Sequence, residues 1–439
     1  MTQALLTDKY ELTMLAAALR DGTAGRRTTF ELFARRLPDG RRYGVVAGTG
    51  RLLEALGDFV FDEPSLATVA GFLDSATMDF LRDFRFGGDI DGYAEGELYF
   101  PGSPVLSVTG SFAECVLLET LALSILNHDS AVASAAARMV SVADGRPLIE
   151  MGSRRTHEQA AVAAARAAYI AGFAGSSNLA AAARYDVPAL GTSAHAFTML
   201  HADADGTTDE WEQAAFRAQV AALGVGTTLL VDTYDVQRGV ANAIAAAGPE
   251  LGAVRIDSGD LGELARQVRR QLDALGATGT KIVVSGDMDE YAIASLRADP
   301  VDSFGVGTSV VTGSGAPTAG MVYKLVEVDG IPVEKRSSHK QSHGGRKAAT
   351  RLSRPSGTIV EEVVHPLGAP PDTARLAGAP PDTARLLTVP LVRAGAVLAA
   401  PNLDAARELV ARGLRSLPWE GLALSRGEPA IPTRQVAPQ

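Results

Sequence analysis

Three observations in the sequence predict an α/β barrel accompanied by an α+β domain. Between residues 148 and 311, short apolar runs alternate with helical stretches, the spacing of parallel βαβ units. Five of those runs end in polar motifs. They are Gly191 to His195 (GTSAH), Val231 to Asp235 (VDTYD), Arg255 to Asp260 (RIDSGD), Ser285 to Asp287 (SGD) and Gly305 to Ser309 (GVGTS). Buried parallel strands that empty into such loops mark the ligand-binding edge of a barrel or an open sheet. The flanking thirds are patterned differently, with antiparallel alternation and a hairpin turn.

Taken in order, the strands expected are Leu148 to Gly152, Ala189 to Ser193, Thr227 to Thr233, Ala253 to Ser258, Lys281 to Ser285 and Ser303 to Thr308. The helices between them are expected over His157 to Gly172, Asp209 to Leu223, Val236 to Ala247, Leu261 to Leu275 and Asp289 to Ala298. A barrel and a doubly wound sheet both fit this series. Ligand residues spread over so many strand ends favour the barrel, because an open sheet gathers them at one switch point.

The first 135 residues predict helices over Leu5 to Arg20, Gly48 to Phe59 and Phe112 to Leu126, with a strand at Thr28 to Phe33 and a meander over Gly92 to Val108. After Gly313, strands return at Tyr323 to Val328 and Pro332 to Arg336 around an Asp329-Gly330 turn. The expected domains are 1–135 and 321–439, which build one α+β domain, and a barrel over 136–320. Gly368 to Leu387 is a tandem decapeptide, GAPPDTARLA then GAPPDTARLL. Such a Pro-rich repeat reads as a surface loop without chemistry.

Composition narrows the function. A net charge of −10 disfavours a nucleic-acid surface. No stretch reaches the roughly 18 uncharged apolar residues of a spanning helix, so no membrane role is expected. Nor does the first segment, Met1 to Tyr10, carry the apolar region of a signal peptide. The lone cysteine, Cys115, has apolar neighbours and reads as a buried thiol in a reducing compartment, so a cytoplasmic protein is expected.

Several residues at the strand ends carry chemistry. His195 can serve as a general base, metal ligand, nucleophile or structural residue. Asp232, Asp235, Asp257, Asp260 and Asp287 offer carboxylates that hold Mg²⁺ or ribose hydroxyls, although Asp235 and Asp260 also read as helix N-caps. Gly305 to Ser309 is a glycine-rich turn suited to phosphate, and no Walker-type P-loop occurs. Arg154-Arg155 offers paired guanidinium forks for carboxylate or phosphate. His339 and His343 lie four apart, but without nearby carboxylates or cysteines they argue against zinc.

Together these motifs resemble the nicotinate phosphoribosyltransferase family. The similarity begins at Thr7 to Met14 (TDKYELTM) and continues through Glu150 to Arg155 (EMGSRR), Gly175 to Asn178 (GSSN) and Gly191 to His195. It closes with Asp232 to Asp235, Arg255 to Leu261 and Gly305 to Thr312, and spans roughly residues 5 to 350. The resemblance implies an irregular TIM-like barrel with an added α+β domain. It implies transfer of phosphoribose from phosphoribosyl pyrophosphate to nicotinate, assisted by Mg²⁺ and by ATP through a phosphohistidine at His195.

The resemblance also assigns roles. Asp257 would serve the ribose hydroxyls, while Gly286, Asp287, Gly307 and Thr308 would cradle the phosphate and ribose. Thr192 and Arg255 would meet nicotinate, with Arg255 shared with the phosphates, and Arg154 would be a second partner for the carboxylate or a phosphate. Tyr10 would stack on the pyridine ring from the other subunit of a homodimer, with Met151 where relatives use an aromatic. Ser177 stands where nicotinamide-using relatives place an Asp, which favours the acid over the amide.

Overall fold

The computed structural model describes residues 2–335, 343–368 and 383–436. It divides into two compact units, Met1–Ser134 with Ala316–Gln439, and Ala135–Gly315. Among the described residues no helix is long and apolar enough to cross a membrane. The decapeptide repeat and His339 lie largely or wholly outside the described residues.

The second unit is built on six parallel strands: β1 (Leu148–Glu150), β2 (Gly175–Ser176), β3 (Thr228–Leu230), β4 (Ala253–Ile256), β5 (Lys281–Val284) and β6 (Ser303–Val306). They pair in the order β2-β1-β6-β5-β4-β3. This is a parallel half-barrel. Val254, Ile256, Ile282, Val284, Phe304 and Val306 are all fully buried, as strands covered on both faces require. Helix Glu158–Ala171 answers with buried alanines at 161, 163, 164, 165, 167 and 168, whose small side chains permit close approach.

One expected strand is corrected. Ala189 to Ser193 forms no strand; only Ala189 bridges, to Ser176. Pro188 has no N–H to give a ladder, and Gly191 follows within three residues. The segment lies against β2, a two-residue strand too short to show a period. The seam between Ala189 and β3 therefore carries no backbone ladder among the described residues.

The first unit holds a seven-stranded antiparallel sheet. Its order is Ile331–Pro332, Met321–Val328, Arg27–Ala34, Leu106–Ser111, Asp89–Tyr93, Thr388–Arg393 and Ala396–Val397. The hairpin turn has positive φ at both Asp329 (48°) and Gly330 (80°), the geometry that matches strand twist. A second sheet of Ala384–Leu386, Lys347–Ser353, Ile359–Pro366 and Thr433–Gln435 adjoins it. Buried Arg351 bonds Glu97 at 2.6 Å and Glu362 at 2.5 Å, and Tyr93 Oη donates to Glu362 at 2.6 Å. Each buried charge thus has its partner, without which it would be strongly destabilising.

The helix expected over Phe112 to Leu126 is two helices. Phe112–Val116 starts at a capping box of Ser111 and Glu114, and Glu119–Val142 runs on through alanines and serines. Cys115 is fully buried, and burial pushes its thiol up to about 12. It is an inert core residue.

Candidate active site

Residues at the carboxyl ends of β1, β2, β4, β5 and β6 line two adjoining cavities in the second unit. The larger, about 520 Å³, is lined by Ser177, Thr192, Arg154, Arg255 and Met151, among others. Its lining includes two arginines and no carboxylate. The smaller, about 80 Å³, is lined by Asp257, Ser285, Gly286, Asp287, Gly307 and Thr308, and shares Met151, Arg154 and Arg255 with the larger.

Arg255 joins the two. It projects from β4 with its side chain only 13% exposed. Its Nε donates to Ser285 Oγ at 2.7 Å, Nη1 to Thr192 Oγ1 at 3.1 Å and Nη2 to Asp257 Oδ1 at 2.9 Å. Ser285 also donates a short bond to Asp257 Oδ1. Burial opposes ionisation of Asp257. The bonds from Ser285 and Arg255, with the nearby charges of Arg255 and His195, outweigh burial and hold its carboxyl below the usual carboxylate range.

Asp257 is held from behind as well. Its backbone N–H donates to Asp232 Oδ2 at 2.9 Å, and Ser258 Oγ donates to the same oxygen at 2.8 Å. Gly286 has φ 102°, and a Cβ there would lie 2.6 Å from the Asp257 carbonyl oxygen. Only glycine lets the β5 loop pass so close.

His195 begins the short helix His195–Met199 and is half-buried. Its Nδ1 lies 3.2 Å from Thr233 Oγ1, beyond β3. This contact and the Arg255–Thr192 bond both span the seam that the backbone leaves unpaired. Side chains close the top of the half-barrel there.

Asp235 and Asp260 are N-caps, accepting from Arg238 N and Glu263 N. Their side chains are thus committed to their own helices. Among the described residues, no group of three or more His, Cys, Asp or Glu is placed to hold a metal ion.

A family model described as the nicotinate phosphoribosyltransferase (NAPRTase) N-terminal domain matches residues 5–127. A second, for the NAPRTase family, matches residues 147–356. The nicotinate phosphoribosyltransferase pncB1 of Mycobacterium tuberculosis (strain ATCC 25618 / H37Rv) is 74% identical over 432 residues, covering 98% of this chain and 95% of its own. The chain belongs to the nicotinate phosphoribosyltransferase family. The nicotinate phosphoribosyltransferase of Bacillus subtilis (strain 168) is 38% identical over 367 residues, covering 80% of this chain and 73% of its own. The crystal structure of human nicotinic acid phosphoribosyltransferase aligns with a TM-score of 0.82 at 28% identity, over 98% of this chain and 97% of its own. That of nicotinate-nucleotide pyrophosphorylase from Pyrococcus furiosus gives 0.77 at 25%, over 94% and 95%.

In this nicotinate phosphoribosyltransferase family chain, Arg154, Ser177, Thr192 and Arg255 line the larger cavity. Asp257, Gly286, Asp287, Gly307 and Thr308 line the smaller. Tyr10 belongs to the first unit and lines neither. It stands at the start of helix Lys9–Asp21, 44% exposed, and partial burial beside Glu119 and Glu11 raises its phenol well above the usual value. Three residues without an assigned role in the sequence emerge as partners: Ser285, Thr233 and the buried Glu150. The signal was present for two of them, since Thr233 and Ser285 are hydroxyls at the ends of apolar strands.

Proposed function

We propose that this chain is a nicotinate phosphoribosyltransferase that joins nicotinate to phosphoribosyl pyrophosphate, giving nicotinate mononucleotide and pyrophosphate for NAD salvage. The observation that carries the choice of substrate is the larger cavity, which offers two guanidinium groups and no carboxylate to an anionic ring. A planar guanidinium matches a carboxylate in charge and geometry. Ser177 and Thr192 add hydroxyls that donate to the same group.

The smaller cavity takes the phosphoribosyl end. Gly286, Gly307 and Thr308 lie at its wall, where backbone N–H groups suit phosphate. Asp257, ionised and fixed by Arg255 and Ser285, faces the ribose hydroxyls and the positive charge that develops on the sugar. The pyridine nitrogen forms its bond to ribose C1 as the C1–O bond to pyrophosphate breaks, and the leaving group takes the electron pair. Arg255 contacts both compartments and orients one reactant against the other.

Magnesium fits as a companion of the pyrophosphate. This ion keeps waters and substrate oxygens and needs only one or two carboxylates, and Asp257 and Asp287, which line the smaller cavity, would hold it. When bound it would neutralise charge on the leaving group. His195 is the phosphoryl acceptor for ATP. Thr233 engages Nδ1, which leaves Nε2 to attack the γ-phosphorus as ADP departs; water later cleaves the phosphohistidine to phosphate. A homodimer in which Tyr10 of one subunit completes the pyridine site of the other accords with Tyr10 being exposed outside both cavities, and the cytoplasm is the compartment proposed for it.

Mass-spectrometric detection of nicotinate mononucleotide, from nicotinate, phosphoribosyl pyrophosphate and Mg²⁺ with and without ATP, tests this function. Product is expected in both cases and faster with ATP, and His195→Ala should lose only the ATP effect. A folded protein that forms no mononucleotide would contradict the reading.

A further inference from the structure

Glu150 ends β1 with its side chain fully buried. Burial raises its carboxyl above the usual range, and only hydrogen bonds from Ser176 and Gly152 oppose this. Among the described residues, no cation figures among the groups that shift it. An apolar side chain there would spare the fold that cost, so the value of Glu150 lies in what it holds.

It holds two loops. Oε1 accepts from the Gly152 backbone at 2.5 Å, and Oε2 accepts from Ser176 Oγ at 2.5 Å. Ser176 Oγ in turn accepts from Asn178 N at 2.9 Å, and Asn178 Nδ2 donates to Ser153 Oγ at 3.0 Å. The carboxylate therefore sits at the root of a chain of bonds linking the loop after β1 to the loop after β2. These loops supply Met151 and Arg154 on one side of the larger cavity and Ser177 on the other.

We propose that Glu150 is a positioning residue for the pyridine substrate, clamping the 151–154 and 176–178 loops at the spacing that lets Arg154 and Ser177 meet one carboxylate. This rests on reading the larger cavity as the nicotinate pocket. Glu150 itself touches no substrate; it acts through Gly152 and Ser176.

The directions of these bonds provide the test. A glutamine at 150 keeps the shape and can still accept from Gly152, but its N–H can only donate to Ser176 Oγ, which reverses that bond and takes the carboxylate acceptor away from the Ser176 hydroxyl proton. Ser176→Ala removes the same bond while deleting a single atom. Steady-state kinetics of the whole enzyme would be measured for Glu150→Gln, Ser176→Ala and wild type, varying nicotinate and phosphoribosyl pyrophosphate separately, with thermal melting as the check on folding. Each variant is expected to raise the KM for nicotinate about tenfold, as for one lost charge-assisted bond. The KM for phosphoribosyl pyrophosphate should change less than about twofold.

Equal rises in both KM values, or a lower melting temperature with the nicotinate KM unchanged, would overturn the positioning role and leave Glu150 as a fold residue. Should Glu150→Gln fail to fold, the same split read in Ser176→Ala decides the matter. Wild type that does not turn over nicotinate would overturn the pocket assignment itself, and the positioning role with it.

Discussion

The Nδ1 atom of His195 lies 3.2 Å from the hydroxyl of Thr233, across the seam where the parallel sheet has no backbone pairing. Which ring nitrogen is free depends on what engages the other. Thr233→Val should leave the imidazole unanchored and reduce labelling of the enzyme by γ-phosphate-labelled ATP about tenfold, the worth of one such bond. Thr233→Ser should restore it, and the ATP-independent transfer should persist in both. Equal labelling in Thr233→Val and wild type would remove Thr233 from the account.

Ser177 contributes a hydroxyl to a cavity that contains no carboxylate. Ser177→Asp would place a like charge against nicotinate and an acceptor against the amide of nicotinamide. The expected result is a fall of about 100-fold in kcat/KM for nicotinate, with a gain for nicotinamide, since like-charge contacts cost several kcal/mol. Competition kinetics with the two pyridines measures it.

Gly286→Ala addresses the phosphoribosyl side. At φ 102°, with the Asp257 carbonyl 2.6 Å from the added Cβ, alanine must strain the backbone or push β4 and β5 apart. A loss of about 1–3 kcal/mol in stability follows, readable in chemical denaturation. The KM for phosphoribosyl pyrophosphate should rise more than that for nicotinate, because Gly286 lines only the smaller cavity.

Glu212 predicts a pH dependence of stability. Burial pushes its carboxyl up to about 7, with Asp209, Asp235 and Asp232 adding to the effect and a bond from Asn242 opposing it. In the unfolded chain a glutamate ionises near about 4.3. Between these values the native state holds a proton that the unfolded state has lost. The Glu212 contribution to stability is therefore present at low pH and lost as pH rises toward 7. The melting temperature of Glu212→Gln, relative to wild type, should improve from about pH 5 to about pH 7 and level off above that; a difference that does not vary with pH would contradict the shift.

The sequence made the strand ends legible because polar residues interrupt apolar runs there, and Asp257, Arg255 and Gly286 share one neighbourhood as a result. It also foresaw the Asp329-Gly330 hairpin, whose chemistry is local. It could not separate caps from ligands: Asp235 and Asp260 have the same residue type as Asp257, and only the following helix decides. Ala189 to Ser193 resembled a strand because a short apolar run says nothing about pairing partners. The short helices Glu63–Val69 and Ser75–Asp83, each started by an aspartate cap at Asp62 or Asp74, are too brief to show a period. Glu150 was hidden for a different reason, since its role lies in bonds to residues up to 26 positions away.

The cavity between Arg154, Arg255, Thr192 and Ser177 is proposed to select a pyridine carrying a carboxylate. The most direct measurement is the ratio of kcat/KM for nicotinate to that for nicotinamide, at saturating phosphoribosyl pyrophosphate and Mg²⁺. A ratio of about 100 in favour of nicotinate is predicted, the worth of charge-assisted bonds that the amide cannot form. A ratio near or below one would contradict the claim.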